Sequence, residues 1–135
     1  MFYIAIDFDG TIAEHEFPLI GNPVPEAFYW MKQFQDAGAT LILWTVRSDG
    51  QINGDVLDDA IEFCSGYGVD FKMVNNNPQK DFNTGPKAYA NIYIDDAAFG
   101  CPLIYNGRKP YVDWHIVGPA VLDMIPSFDH TDRQQ

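Results

Sequence analysis

The sequence predicts an α/β domain whose mainly parallel sheet has about five strands. Short apolar runs rich in β-branched and aromatic residues alternate with stretches whose apolar residues recur at helical spacing, which is typical of strand–helix–strand units. With 135 residues, of which 47% are hydrophobic, the chain can form one core without disulfides. The sequence shows no repeat and no interdomain linker, so we expect residues 1–125 to form one domain and residues 126–135 a polar tail.

The first half of the chain supplies two predicted strands and a helix. The apolar run Phe2–Ile6 predicts a buried strand. Residues 12–24, called the flap here, carry two prolines and a Gly-Asn pair, which predicts a long loop. A helix is expected to begin at Pro25 and to end at Gly38, and a second buried strand is expected at Thr40–Thr45.

The second half repeats the alternation less regularly. Asp55 is expected to cap a helix that begins at Val56. The remaining predicted elements are strands at Phe71–Val74, Asn91–Asp95 and Leu103–Tyr105, a polar loop over 75–90, and a helix at Pro119–Ile125 with proline in its first position. Helices on both faces of the sheet would give a three-layer, Rossmann-like arrangement.

Three of the predicted strands end in polar residues. These residues are Asp7-Phe8-Asp9, Thr45-Val46-Arg47 and Asp95-Asp96. Parallel sheets bind their ligands beyond the carboxyl ends of the strands. The sequence therefore predicts one functional site at this edge of the sheet.

The aspartates indicate what chemistry this site performs. In a strand geometry Asp7 and Asp9 point the same way, and carboxylates about 5–6 Å apart repel by about 3 kcal/mol. A hard cation such as Mg²⁺ relieves this repulsion and takes further oxygen ligands from phosphate. A carboxylate can also act as a nucleophile towards phosphorus. Gly10 lets the chain turn close to an anion, which Thr11 and nearby amides can bind.

These residues resemble the motifs of the haloacid dehalogenase (HAD) superfamily of phosphohydrolases. DFDGT at 7–11 is similar to its first motif, D-x-D-x-T, and Thr45 to its second, a lone Ser or Thr. The Ile94-Asp95-Asp96 segment is similar to its acidic fourth motif. The motifs follow the order of the family and cover residues 2–96.

The resemblance implies a role for each matched residue. Asp7 would be the nucleophile and a Mg²⁺ ligand, and Asp9 would be the general acid and base, with its backbone carbonyl on the metal. Thr45 would hydrogen-bond the transferring phosphoryl group. Asp95 would bind Mg²⁺ directly, and Asp96 directly or through water.

The third motif of the family is a lysine, and two lysines are candidates. The spacing of Lys87 from the acidic pair resembles that of some small members, although a strand of five residues would place it about 17 Å from the site. Lys80 lies just past the third predicted strand and would reach more easily. Arg47 is a further candidate for binding substrate phosphate.

The resemblance also implies a member without a cap domain, since neither gap between the motifs has room for one. Its site would be open or closed by a second copy of the chain, and its substrate would be a phosphorylated small molecule or the exposed end of a larger one. A module that binds without turnover, and a receiver-like domain that accepts phosphate on an aspartate, are the alternatives. In receivers, however, the paired acids precede the acceptor.

Charge and cysteine content restrict the partners and the compartment. The formal net charge of −11 argues against nonspecific binding to nucleic acids or anionic membranes, since both need a basic face. Two cysteines, Cys64 and Cys101, are interpreted as reduced core thiols of a cytoplasmic protein, with a single disulfide as the alternative. His15 is interpreted as a solvated flap histidine, with substrate gating as the alternative.

Overall fold

The computed structural model of this chain describes residues 1–76 and 85–127. Within these ranges the strands and helices are, in chain order, β1 (Phe2–Ile6), α1 (Ala27–Asp36), β2 (Ala39–Leu43), α2 (Val56–Gly66), β3 (Met73–Val74), β4 (Ile92–Ile94), β5 (Leu103–Ile104), β6 (Tyr111–Val112) and α3 (Trp114–Met124). None of the helices in the described ranges is both long and apolar enough to cross a membrane.

Among the described residues, the main sheet has four strands in the order β3-β2-β1-β4, and every neighbouring pair is parallel. This confirms the predicted α/β class with a mainly parallel sheet. The strand count is lower than expected, because β5 pairs antiparallel with β6 in a separate ribbon. A fifth parallel strand at Leu103 would need a crossover of a dozen or more residues after β4, and only eight residues, 95–102, separate the two strands.

Apolar side chains cover both faces of the sheet. The larger core lies on the face that bears Ile4, Ile6, Leu41 and Leu43, and all three helices contribute buried side chains to it. The opposite face carries a smaller cluster around Tyr3, Ala5, Ile42 and the partly buried Trp44, Met73 and Ala90. In the described ranges, non-helical segments cover this second face, so the helices form a layer on one side of the sheet. The three-layer arrangement expected from the sequence, with helices on both faces, is not found in these ranges.

One predicted helix start and one predicted helix cap are wrong. The last helix begins at Trp114 rather than Pro119, because the side chain of Asp113 accepts a hydrogen bond from the backbone N–H of His115 and caps this earlier turn. Pro119 lies inside the helix. Asp55 stands at the start of α2 but makes no capping bond with its side chain. Asp49 caps α2 instead, since its Oδ1 accepts from the amide of Leu57 at 2.7 Å.

Candidate functional site

All four strands of the parallel sheet deliver polar residues to the same edge. Ile6 of β1 pairs with Leu43 of β2 and with Ile94 of β4, so the residues that follow these strands emerge side by side. The polar residues at this edge are Asp7 and Asp9 after β1, Thr45 after β2, Asn75 after β3, and Asp95 and Asp96 after β4. The sequence predicted all of them except Asn75.

Two cavities open at this edge and share Asp7, Val46 and Asp95. A cavity of about 430 Å³ is further lined by Trp44, Thr45, Asn75 and Pro86. A cavity of about 360 Å³ under the flap is further lined by Asp9, His15, Phe17, Asp96 and Ala97. A group bound at Asp7 can therefore extend to either side of Val46.

Three carboxylates form a cluster between the cavities. Asp7, Asp95 and Asp96 each offer an oxygen, and these oxygens lie within 4.8 Å of one another. Oxygen ligands of one Mg²⁺ ion lie about 2.1 Å from it, and hence about 4 Å apart across it. The spacing of the three carboxylates is therefore close to what one such ion requires. The Asp9 carboxylate does not belong to the cluster, and its predicted metal contact through the backbone carbonyl stays a prediction.

The cluster also changes the acidity of Asp7. Burial, together with the carboxylates of Asp95 and Asp96, raises the pKa of Asp7 from 3.8 to about 8. A hydrogen bond from the Thr11 hydroxyl, 3.1 Å from Oδ2 of Asp7, acts in the opposite direction. Burial is also the main cause that raises the pKa of Asp95. Without a cation, Asp7 therefore keeps its proton at neutral pH, because burial and the neighbouring carboxylates disfavour its ionised form.

The metal-free protein is expected to lose stability as the pH rises from about 4 to about 8. In that range the folded protein keeps a proton on Asp7 that the unfolded chain has already released, since the pKa is 3.8 in the unfolded chain and about 8 in the folded protein. Urea unfolding in EDTA at several pH values measures this. Asp7→Asn is the control, and a pH dependence equally steep in this variant would contradict the assignment.

Gly10 and Thr11 were predicted to bind phosphate, but their polar groups have partners within the protein. The Gly10 amide donates to the Ala13 carbonyl at 2.7 Å, and its carbonyl accepts from the Val112 amide at 2.9 Å. The buried Thr11 hydroxyl donates to Asp7 and accepts from the amide of Asp96. The polar groups of Gly10 and Thr11 therefore do not face a ligand, and the Thr11 hydroxyl holds Asp7 and Asp96 in place.

Gly10 also makes room for a contact between the flap and the acidic cluster. Its φ is +81°, and a Cβ added there would lie 2.2 Å from Nε2 of His15 and 2.3 Å from Oδ2 of Asp96. These two atoms are themselves hydrogen-bonded at 2.9 Å. His15 is therefore not the solvated histidine that the sequence suggested, and it fixes the flap against the acidic cluster.

Thr45 is positioned by a residue that the sequence did not single out. Its amide donates to Oδ1 of Asn75 at 2.7 Å, and Nδ2 of Asn75 donates to the carbonyl of Arg47 at 3.2 Å. The Thr45 hydroxyl accepts from the amide of Arg47 at 3.1 Å, which leaves its proton to donate into the cavity. The position of Asn75 directly after β3 was the available signal.

Arg47 does not face the open cavity. Its side chain is buried, and Nε and Nη2 both lie 2.8 Å from the carboxylate oxygens of Asp9. The predicted contact with substrate phosphate is not favoured by this arrangement, because the guanidinium fork already binds Asp9.

Of the two lysines predicted for the third motif, only Lys87 lies among the described residues. Lys87 is exposed, and its ammonium lies 5.0 Å from the centre of the Tyr93 ring. Lys87 therefore packs beside β4, and its role as the lysine of the third motif stays a prediction. Lys80 lies outside the described residues, as do residues 128–135 of the predicted tail.

Comparison with known proteins gives one match among solved structures. The structure of a conserved protein coded by a locus from Bacteroides thetaiotaomicron has 35% sequence identity to this chain and a TM-score of 0.72. The alignment covers 90% of each of the two chains. Neither protein-family models nor curated proteins gave a match.

Proposed function

We propose that this chain, which belongs to the same family as that conserved protein from Bacteroides thetaiotaomicron, is a phosphomonoester hydrolase of the HAD type. The proposed enzyme is small, has no cap domain and depends on Mg²⁺. The main support is the cluster of Asp7, Asp95 and Asp96 beside Thr45, at the carboxyl edge of a parallel sheet. A raised pKa of Asp7, caused by burial and by two neighbouring carboxylates, indicates a site that needs a cation to be ionised at neutral pH.

The proposed reaction has two displacements at phosphorus. A carboxylate oxygen of Asp7 attacks phosphorus, the bond to the leaving oxygen breaks, and Asp9 donates a proton to that oxygen. Asp9 then removes a proton from water, whose oxygen attacks the aspartyl-phosphate and releases inorganic phosphate and Asp7. The hydroxyl of Thr45 holds the phosphoryl group in line. Mg²⁺ held by Asp7, Asp95 and Asp96 would offset negative charge on the phosphoryl oxygens.

The substrate and the compartment belong to the proposal as well. The two cavities that meet at Asp7 suit a phosphorylated small molecule or the exposed end of a larger one. Both cysteines are free thiols in the structure, which favours a reducing compartment such as the cytoplasm.

One assay separates this proposal from its alternatives. We expect 4-nitrophenyl phosphate to be hydrolysed in the presence of Mg²⁺, and we expect both EDTA and Asp7→Asn to abolish the reaction. Asp70→Asn is a matched control, because the exposed Asp70 precedes β3 and so lies at the opposite edge of the sheet. Stable labelling of Asp7 by a phosphodonor without turnover would indicate a receiver-like acceptor. Neither turnover nor labelling would indicate a binding module.

A further inference from the structure

Every hydrogen-bond donor of the Arg47 side chain has an acceptor in the protein. Besides the two bonds to Asp9, Nη2 donates to the carbonyl of Leu19 at 2.7 Å. Nη1 donates to the carbonyl of Val56 at 3.0 Å and to that of Pro18 at 3.4 Å. An arginine side chain has five N–H groups, so these five bonds use all of them. The residue as a whole is only 1% exposed.

These five bonds join three parts of the molecule. Asp9 follows β1, Leu19 and Pro18 belong to the flap, and Val56 is the first residue of α2. The guanidinium carbon also lies 4.9 Å from the centre of the Phe8 ring and 5.2 Å from that of Phe17. Three other segments thus meet one buried cation, and Asp9 is the one acidic side chain that these contacts bring to it.

We propose that Arg47 is a positioning residue that acts through Asp9. Its hydrogen bonds hold the Asp9 carboxylate and the flap together on the leaving-group side of the site. This rests on the proposed function, in which Asp9 protonates the leaving oxygen. Asp9 and Phe17 both line the cavity of about 360 Å³ under the flap, next to Asp7. A leaving group in that cavity therefore contacts the Asp9 carboxyl group and the Phe17 ring, and the guanidinium of Arg47 positions both. Each Asp9 oxygen keeps a second lone pair, which can carry the transferred proton.

This role predicts that the loss of kcat/KM in Arg47 variants depends on the leaving group of the substrate. A nitrophenolate leaves readily without a proton, whereas an alkoxide needs the proton that Asp9 supplies. Arg47→Lys keeps the buried charge but cannot form the fork that holds both Asp9 oxygens. We expect it to lower kcat/KM about 100-fold for an alkyl phosphate such as glycerol 2-phosphate, and less than about 5-fold for 4-nitrophenyl phosphate. Arg47→Gln should show the same selectivity.

The controls separate this role from a loss of folding. Both substrates are assayed on the same sample, so partial unfolding lowers both rates equally and leaves their ratio unchanged. Asp9→Asn should reproduce the selective loss in kcat/KM, because kcat/KM covers only the steps up to departure of the leaving group and not the later activation of water by Asp9. Adding Arg47→Lys to Asp9→Asn should increase the selectivity no further. Arg108→Lys is the matched control, because Arg108 pairs with Glu16 of the same flap on the exposed surface.

The outcomes are distinct. An equal loss on both substrates for Arg47→Lys and Arg47→Gln overturns the role of Arg47 while the proposed function stands. A further selective loss in the double variant overturns it as well, because Arg47 would then act independently of Asp9. If the unmodified protein hydrolyses neither substrate, the proposed function is wrong, and the role of Arg47 is overturned with it.

Discussion

Asp7→Asn is expected to lower Mg²⁺-dependent phosphate release at least about a thousandfold, and to make the metal-free protein more resistant to urea. An amide cannot act as the nucleophile. The substitution also removes the ionisable group of Asp7 from the cluster of carboxylates that includes Asp95 and Asp96. At pH 8 we expect the free energy of unfolding to rise by about 1–3 kcal/mol in EDTA.

The same variant should respond differently to metal. Mg²⁺ is expected to raise the urea midpoint of the unmodified protein, because an ion that binds only the folded state stabilises it. In Asp7→Asn one of the three ligands is lost, so this increase should be smaller. Activity close to that of the unmodified protein, or a lower urea midpoint in EDTA, would contradict the role and the environment assigned to Asp7.

Asp9→Asn is expected to have the opposite effect on stability, lowering the free energy of unfolding by about 3 kcal/mol. The Arg47 guanidinium is buried, and its contacts include no other carboxylate than that of Asp9. An amide at position 9 leaves this cation without a counter-charge, and its NH₂ group faces a guanidinium N–H that needs an acceptor. Urea unfolding in EDTA measures the change.

A double variant checks the cause of this loss. In Asp9→Asn with Arg47→Met, the cation is removed together with its partner, so part of the lost stability should return. Unchanged stability in Asp9→Asn, or strictly additive losses in the double variant, would show that the ion pair contributes little. The opposite signs expected for two aspartates only two residues apart follow from their different neighbours.

The elements that depend on local sequence were predictable. The apolar run of β1 coincides with the predicted strand, and the polar residues after β1, β2 and β4 meet at one edge as expected. In a parallel sheet the carboxyl ends of all strands lie at one edge, so strand direction alone brings these residues together. The identity of the nucleophile candidate, Asp7, therefore required no knowledge of side-chain contacts.

The partners of the site residues were not predictable in the same way. The orientation of Arg47 depends on where the flap and α2 place their carbonyl groups, and the contact of His15 depends on the fold of the flap. Neither leaves a pattern in the local sequence. Asn75 falls at the start of the predicted polar loop over 75–90, and only the pairing of β3 with β2 brings its side-chain oxygen to the amide of Thr45.

The turn after β1 has a consequence for the order in which the site can form. Nε1 of Trp114 in α3 donates to the carbonyl of Thr11 at 2.7 Å, across 103 residues of chain. At about 5–20 residues per second, roughly 5–20 s of protein synthesis separate the two residues. The motif that carries Asp7 and Asp9 is synthesised before β2, β3 and β4. It receives this anchor in α3 only after all four strands of the parallel sheet have been synthesised.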